Sequence, residues 1–190
     1  MTTPRQHKLI YSSSYDRGLN YLLGMWPKIK KKFPDAELHI FYGWDLYDAA
    51  YKDNPERLLW KHKMNDDMDN PGITHHGRVS KKELQDWQKK CGIWAYPTDF
   101  TETNCITAND CQLNGAVPCT MALAGLKESV QSGVIIPGEI VDELVQDTWL
   151  DSLFDLMSDE EYWKEEQVKG KKHALNCTWD KVADKWGESL

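Results

Sequence analysis

Long apolar runs are missing from this chain. None of its 190 residues fall in a stretch approaching the roughly 20 apolar residues that a membrane-crossing helix needs. The opening segment MTTPRQHK has no apolar centre of the kind a secretory leader carries. No CxxC pair occurs either. The five cysteines, Cys91, Cys105, Cys111, Cys119 and Cys177, are odd in number, which argues against a disulfide framework or a zinc site and suits a reducing compartment. An excess of positive charge is also lacking. With 23 Lys and Arg against 30 Asp and Glu, the formal net charge is -7, which argues against a surface built to coat nucleic-acid phosphates. These absences lead to the expectation of a cytoplasmic protein with no transmembrane segment and no nucleic-acid partner.

What is present suits one globular domain. Hydrophobic residues make up 41% of the chain, enough to bury a core. Nine tryptophans are many for this length, and Trp149, Trp163, Trp179 and Trp186 fall in the last quarter, where they serve helix packing or a docking surface for another domain. Up to residue 137, short β-type runs alternate with helical stretches. Strands are expected at His7–Ser12, Glu37–Tyr42, Ile73–His76, Gly92–Tyr96, Val117–Met121 and Val134–Ile136. Between them, helices are expected at Leu19–Phe33, Asp45–Tyr51, Pro55–Asn65, Lys81–Lys90 (capped by Ser80), Cys105–Asn114 (closed by Gly115) and Lys127–Gln131. The acidic NDDMDNPG segment reads as a loop. From Glu139 onward the chain reads as charged amphipathic helices closing the domain. The pattern predicts an α/β fold, a Rossmann-like doubly wound parallel sheet with helices on both faces plus C-terminal helices, all in a single domain spanning 1–190. Ligands of such sheets bind beyond the carboxyl ends of the strands, so the loops at 12–18, 43–46, 77–80 and 97–104 carry the interest.

The strongest chemical signal is YPTDFTETNCITANDCQLNGAVPCT, residues 96–120. A strand stops at Pro97, and a polar loop brings Glu102 to the start of a helix. Asp110 follows eight positions later, two turns into that helix. A helix N-terminus offers free N–H groups and partial positive charge to a diphosphate. Carboxylates would repel phosphate, so their natural partners are sugar and ribose hydroxyls. Spacing alone leaves a second reading open, in which Glu102 merely complements the helix dipole and Asp110 is a solvated helix residue.

This stretch resembles the signature of the family 4-type GT-B glycosyltransferases (glycosyl transferases group 1). In that family a strand ending in Tyr-Pro-Ser is followed by Glu, seven residues, a second Glu, and then Ala-x-x-x-Gly-x-Pro-Val. Glu102 stands at the first acid, Asp110 at the second, and Gly115-Ala116-Val117-Pro118 at the tail. The resemblance implies that Glu102 contacts the donor sugar and Asp110 the ribose, with Asp one methylene shorter than the usual Glu. Thr103, Asn104 and Cys105 stand where many members have a glycine-rich loop between the acids, and these three and Ile106 are expected against the donor. GITHHGRVSKKELQDW is similar to the passage that lies beside the base, which points to Gly77, Arg78, Val79 and Ser80. SSSYDRGLNYLL is similar to the loop after the first strand, where a basic residue before Gly binds diphosphate. Arg17-Gly18 matches, and Ser13 and Ser14 stand where a second basic residue is usual. NCTWDKVADKW resembles the closing helix. The likeness runs from about residue 8 to 186, with least support between 44 and 72.

The resemblance implies a C-terminal nucleotide-sugar-binding domain, a UDP- or GDP-sugar as substrate, retention at the anomeric carbon, and no metal or other cofactor. Arg17 and Glu102 are then the catalytic candidates. It also implies a separate acceptor-binding domain or a homo-oligomer to complete the cleft. A non-catalytic nucleotide-sugar-binding module is the alternative, and a flavodoxin-like domain with a Ser-rich phosphate loop is a third. The DxD spelled by Asp67-Met68-Asp69 precedes a strand rather than following one, so a solvated loop is the better reading. His75 and His76 are adjacent in a strand and face opposite ways, so they cannot readily chelate one ion. The whole reading expects the side chains at 17, 102 and 110 to border one site, with the leading end of the signature helix open to ligand.

Overall fold

In the computed structural model the described residues are 3–187. The first two and last three positions of the expected 1–190 domain lie outside them. After a 3-10 turn at Arg5–His7 the elements run β1 (Lys8–Tyr11), α1 (Leu19–Lys32), β2 (Glu37–Phe41), α2 (Asp45–Tyr51), α3 (Pro55–Met68), β3 (Ile73–Gly77) and α4 (Lys81–Lys90). They continue as β4 (Ile93–Tyr96), α5 (Ile106–Leu113), β5 (Val117–Met121), α6 (Leu126–Ser129), β6 (Val134–Ile136), α7 (Glu143–Ser158), α8 (Glu160–Ala174) and α9 (Trp179–Gly187).

The six strands form one parallel sheet in the order β3-β2-β1-β4-β5-β6. This is the doubly wound arrangement read from the alternation of elements. Helix α1 packs with α3 and α7, while α5 packs with α4 and α8, which gives the sheet its two covering layers. Strands β4 and β5 are buried along their whole length, as expected of central parallel strands. Trp26, Trp94 and Trp149 are among the largest fully buried side chains. The strand order reverses between β1 and β4, so the loops leaving these two strands diverge in chain direction and open a crevice.

Local signals account for most boundaries. The Ser80 Oγ accepts from the Glu83 N–H at 3.2 Å and starts α4. At the end of α5 the Ala116 N–H reaches the Cys111 carbonyl and the Gly115 N–H that of Gln112, with Gly115 at φ 82°, a Schellman closure. One boundary differs from the sequence reading by more than two residues. The NDDMDNPG segment is not all loop, because α3 continues to Met68 and Asp69 caps it. Met64 and Met68, four apart, form a buried stripe that carries the helix through its acidic turn.

The tryptophans divide. Trp149 and Trp163 pack inside, the Trp163 indole donating to the Gly92 carbonyl at 2.8 Å, whereas Trp179 and Trp186 on α9 are more than 70% exposed. Among the described residues, no helix is long and apolar enough to cross a membrane.

Candidate functional site

The crevice at the β1/β4 reversal is built by close contact of two loops. Gly18 has φ 101°, and a Cβ added there would lie 2.1 Å from the Pro97 carbonyl oxygen. Only glycine lets the loop after β1 press on the loop after β4, so Gly18 serves loop packing. The same contact sets Arg17 opposite Glu102. Arg17 Nη1 donates to Glu102 Oε1 at 3.3 Å, and the guanidinium carbon lies 3.8 Å from the Phe100 ring centroid. These residues are far apart in sequence and meet only through the sheet.

Glu102 is buried and well tethered. Tyr96, the last residue of β4, donates its hydroxyl to the same Oε1 at 2.9 Å, and Ser13 Oγ donates to the Tyr96 oxygen at 3.5 Å. Burial, with Glu102 beside it, raises the Tyr96 pKa far above the usual phenol range and keeps it a donor. The Glu102 carbonyl accepts from the Gly125 N–H at 2.8 Å. The Phe100 loop is pinned as well: its N–H donates to Thr98 Oγ1 at 3.0 Å, and Tyr21 of α1 donates to Asp99 at 2.9 Å.

The rest of the 12–18 loop is internally occupied. Ser14 Oγ donates to Asp16 at 2.6 Å, and the Ser14 carbonyl accepts from the Tyr11 hydroxyl and the Arg17 N–H. Tyr15 is buried. Its hydroxyl accepts from the Gly43 N–H at 2.8 Å and lies 2.6 Å from His75 Nε2, joining the loops after β1 and β2 to β3. His76 turns the other way, stacked on Phe41 at 4.3 Å, and burial depresses its pKa to about 4.

Beyond β3, Gly77 takes φ 67° and Arg78 and Val79 border a cavity of about 150 Å³ with Ser12, Tyr42 and Leu84. The Ser12 hydroxyl is buried there, without a hydrogen-bond partner among the described residues.

Asp110 lies elsewhere. It lines a separate groove of about 440 Å³ together with Asn104, Ile106, Lys81 and, from α9, Trp179 and Trp186. Arg17 and Glu102 do not border that groove, whereas the sequence reading expected all three side chains at one site. Asp110 lies in the second turn of α5 and shares its groove with Lys81 and Gln85 of α4, while Glu102 precedes α5 and is bound by Tyr96 of β4 and Arg17 of the loop after β1. Burial raises the Asp110 pKa, partly offset by Lys81. The leading end of α5 is partly used. The Cys105 N–H donates to Ser129 Oγ at 3.2 Å, although Thr103, Asn104 and Ile106 are exposed around it. Cys105 itself is buried, its thiol pushed up to about 12 by burial. Among the described residues no cluster of His, Cys, Asp or Glu is arranged to hold a metal ion.

No protein-family model matches the chain, and no curated protein matches it in sequence. Solved structures do match. Over 97% of its length the chain is similar to the pneumococcal O-GlcNAc transferase GtfA in complex with UDP and GlcNAc, with a TM-score of 0.75 and 12% identity. It is similar over 95% to sucrose-phosphate synthase from Thermosynechococcus elongatus, with a TM-score of 0.75 and 16% identity. It is similar over 96% to HepE from Anabaena in complex with UDP-glucose, with a TM-score of 0.67 and 13% identity. The fold is that of a GT-B glycosyltransferase half. The chain spans 35%, 44% and 48% of those three proteins, so each carries as much structure again or more beyond the shared part.

The structure brings Arg17, Gly18, Ser13 and Glu102 together, sets Arg78 and Val79 at the small cavity that follows Gly77, and leaves Asn104, Ile106 and Asp110 on the separate groove beside α9. Sequence reasoning passed over Tyr96, Phe100 and Tyr15. Tyr96 was within the quoted motif, and its place at the strand end, six residues before the acid, was the available signal. Phe100 was an aromatic in an otherwise polar loop.

Proposed function

We propose that the chain is the donor-binding part of a glycosyltransferase and takes a nucleoside diphosphate sugar such as a UDP- or GDP-sugar. The observation that carries this reading is the Arg17–Glu102 pair at the β1/β4 reversal, a cation and a hydroxyl-seeking carboxylate side by side at the ligand edge of the sheet. Arg17 meets the diphosphate, Glu102 orients the sugar, and Asp110 accepts from ribose hydroxyls. The cavity beside Arg78 and Val79 takes the base. The neighbours whose structures contain UDP or UDP-glucose support this assignment of ligand class.

In the transfer step the acceptor's hydroxyl oxygen bonds to the anomeric carbon as the bond from that carbon to the β-phosphate oxygen breaks, negative charge grows on the departing diphosphate, and the hydroxyl proton passes to it. Arg17 stabilises that charge, and positioned electrostatic partners of this kind commonly supply on the order of 3 kcal/mol. Tyr96 and Arg17 both donate to Glu102 Oε1, and the Tyr96 bond holds the carboxylate in place for the sugar hydroxyls. The acceptor and the second wall of the cleft come from a separate domain or another copy of the chain.

The test is a thermal-shift panel of UDP, GDP, ADP and their sugars. A ligand at 100 times its dissociation constant stabilises by about 2.7 kcal/mol. No shift with any of them overturns the reading. Sugar release from a donor that is lost in Glu102→Ala identifies an enzyme. The second reading, a binding module without turnover, is favoured by the Asp16 carboxylate hydrogen-bonded inside the loop that should receive phosphate; it predicts binding with no release.

A further inference from the structure

We infer that Glu102 and Phe100 make the Arg17 side chain a latch, which the diphosphate must open before Glu102 can receive the sugar, so that the site selects the linked nucleotide sugar over either half alone. The inference rests on the donor-site reading above. Three contacts carry it. Arg17 is tied to Glu102 Oε1 at 3.3 Å, its guanidinium lies 3.8 Å from the Phe100 ring centroid, and Tyr96 holds the same carboxylate oxygen at 2.9 Å.

Their burial is unequal. The Glu102 side chain is 11% exposed and that of Arg17 35%, so the arginine is the member free to swing out while the carboxylate stays. A diphosphate offers Arg17 a doubly charged, bidentate partner and outcompetes a single carboxylate oxygen. The departure of Arg17 leaves a buried carboxylate short of donors, with only the Tyr96 hydroxyl still in place. Such a group is costly unless new donors arrive, and sugar hydroxyls are those donors. A diphosphate without sugar therefore opens the latch at a cost, and a sugar without diphosphate finds Glu102 already occupied. Phe100 sets the strength of the closed state without touching the reacting atoms. It is a positioning residue, held in place by Thr98 and the Asp99–Tyr21 bond.

The experiment measures dissociation constants of UDP and UDP-glucose, and of GDP and GDP-mannose in parallel, for the wild-type chain, Glu102→Gln and Phe100→Leu by titration calorimetry. Glu102→Gln keeps the shape of the side chain and removes the charge that holds Arg17. It should tighten the bare nucleotide by about three- to ten-fold, as expected for loss of a competing, partly buried ion pair. The advantage of the sugar-linked form over the bare nucleotide should fall by a similar factor. Phe100 is 39% exposed, so Phe100→Leu folds safely. It should tighten both ligands by about two-fold through the lost cation–π contact and leave their ratio unchanged. Weaker binding of the bare nucleotide to Glu102→Gln, or an unchanged ratio, overturns the latch while leaving the donor site standing. Failure of every nucleotide to bind the wild-type chain overturns both.

Discussion

The two acids of the signature stretch occupy opposite kinds of surroundings. Glu102 is almost enclosed, with Tyr96 and Arg17 on one oxygen and Gly125 fixing its backbone. Asp110 lies half-buried on an open groove, with neither ion pair nor hydrogen bond to its carboxylate among the described residues, and burial raises its pKa. The first corner is satisfied before any ligand arrives. The second holds an unpaired charge that the fold tolerates at a cost. On the donor-binding proposal, the enclosed corner supplies orientation and the waiting carboxylate supplies affinity.

The largest effect that would sharpen this contrast comes from the glycine that builds the enclosed corner. Gly18→Ala combines a positive φ with a Cβ inside contact distance of Pro97. It should cost about 3 kcal/mol or more of folding stability in urea denaturation. A loss below 1 kcal/mol would show that the two loops are not pressed together as described.

Next in size is Arg17→Ala, which should weaken UDP binding about ten- to hundred-fold, or about 1.4–2.8 kcal/mol by calorimetry. An unchanged affinity would break the assignment of the diphosphate to this corner.

Tyr96→Phe removes a donor from a buried carboxylate. It should lower stability by about 1.5 kcal/mol in denaturant titration and weaken the sugar-linked ligand more than the bare nucleotide.

The open groove gives the smallest effect and the opposite sign. Because the folded-state pKa of Asp110 is raised, its ionisation works against folding above that pKa, and the penalty is relieved as pH falls through it. At pH 7, Asp110→Asn should therefore stabilise the chain by about half a kcal/mol, a small value because the group is only half-buried. The difference from wild type should close at acid pH, where both carry a neutral side chain there. Destabilisation at pH 7 would show that Asp110 already has a partner and would remove the contrast between the two acids.

Much of the fold was legible along the chain because helix and strand periods and their caps are local. Ser80 and Gly115 mark their helix ends where the sequence signals placed them, and the alternation of strands and helices led to a parallel doubly wound sheet. The acidic turn before β3 was harder, since its polar residues read as loop while the Met64–Met68 stripe beneath them sustains α3. Arg17 and Glu102 were singled out from their motifs, but nothing local shows that they touch.

The order of elements, the position of the ligand edge and the choice of Arg17, Glu102 and Asp110 as the residues to watch came from the sequence by itself. Folding decided three further things: that Gly18 is needed for loop packing, that Tyr96 and Phe100 hold the Arg17–Glu102 pair, and that Asp110 faces a groove of its own. Periodicity and capping act over a few residues, so one stretch of chain reveals them. Pairing across the β1/β4 reversal joins residues more than eighty positions apart and exists only once the sheet has brought them together.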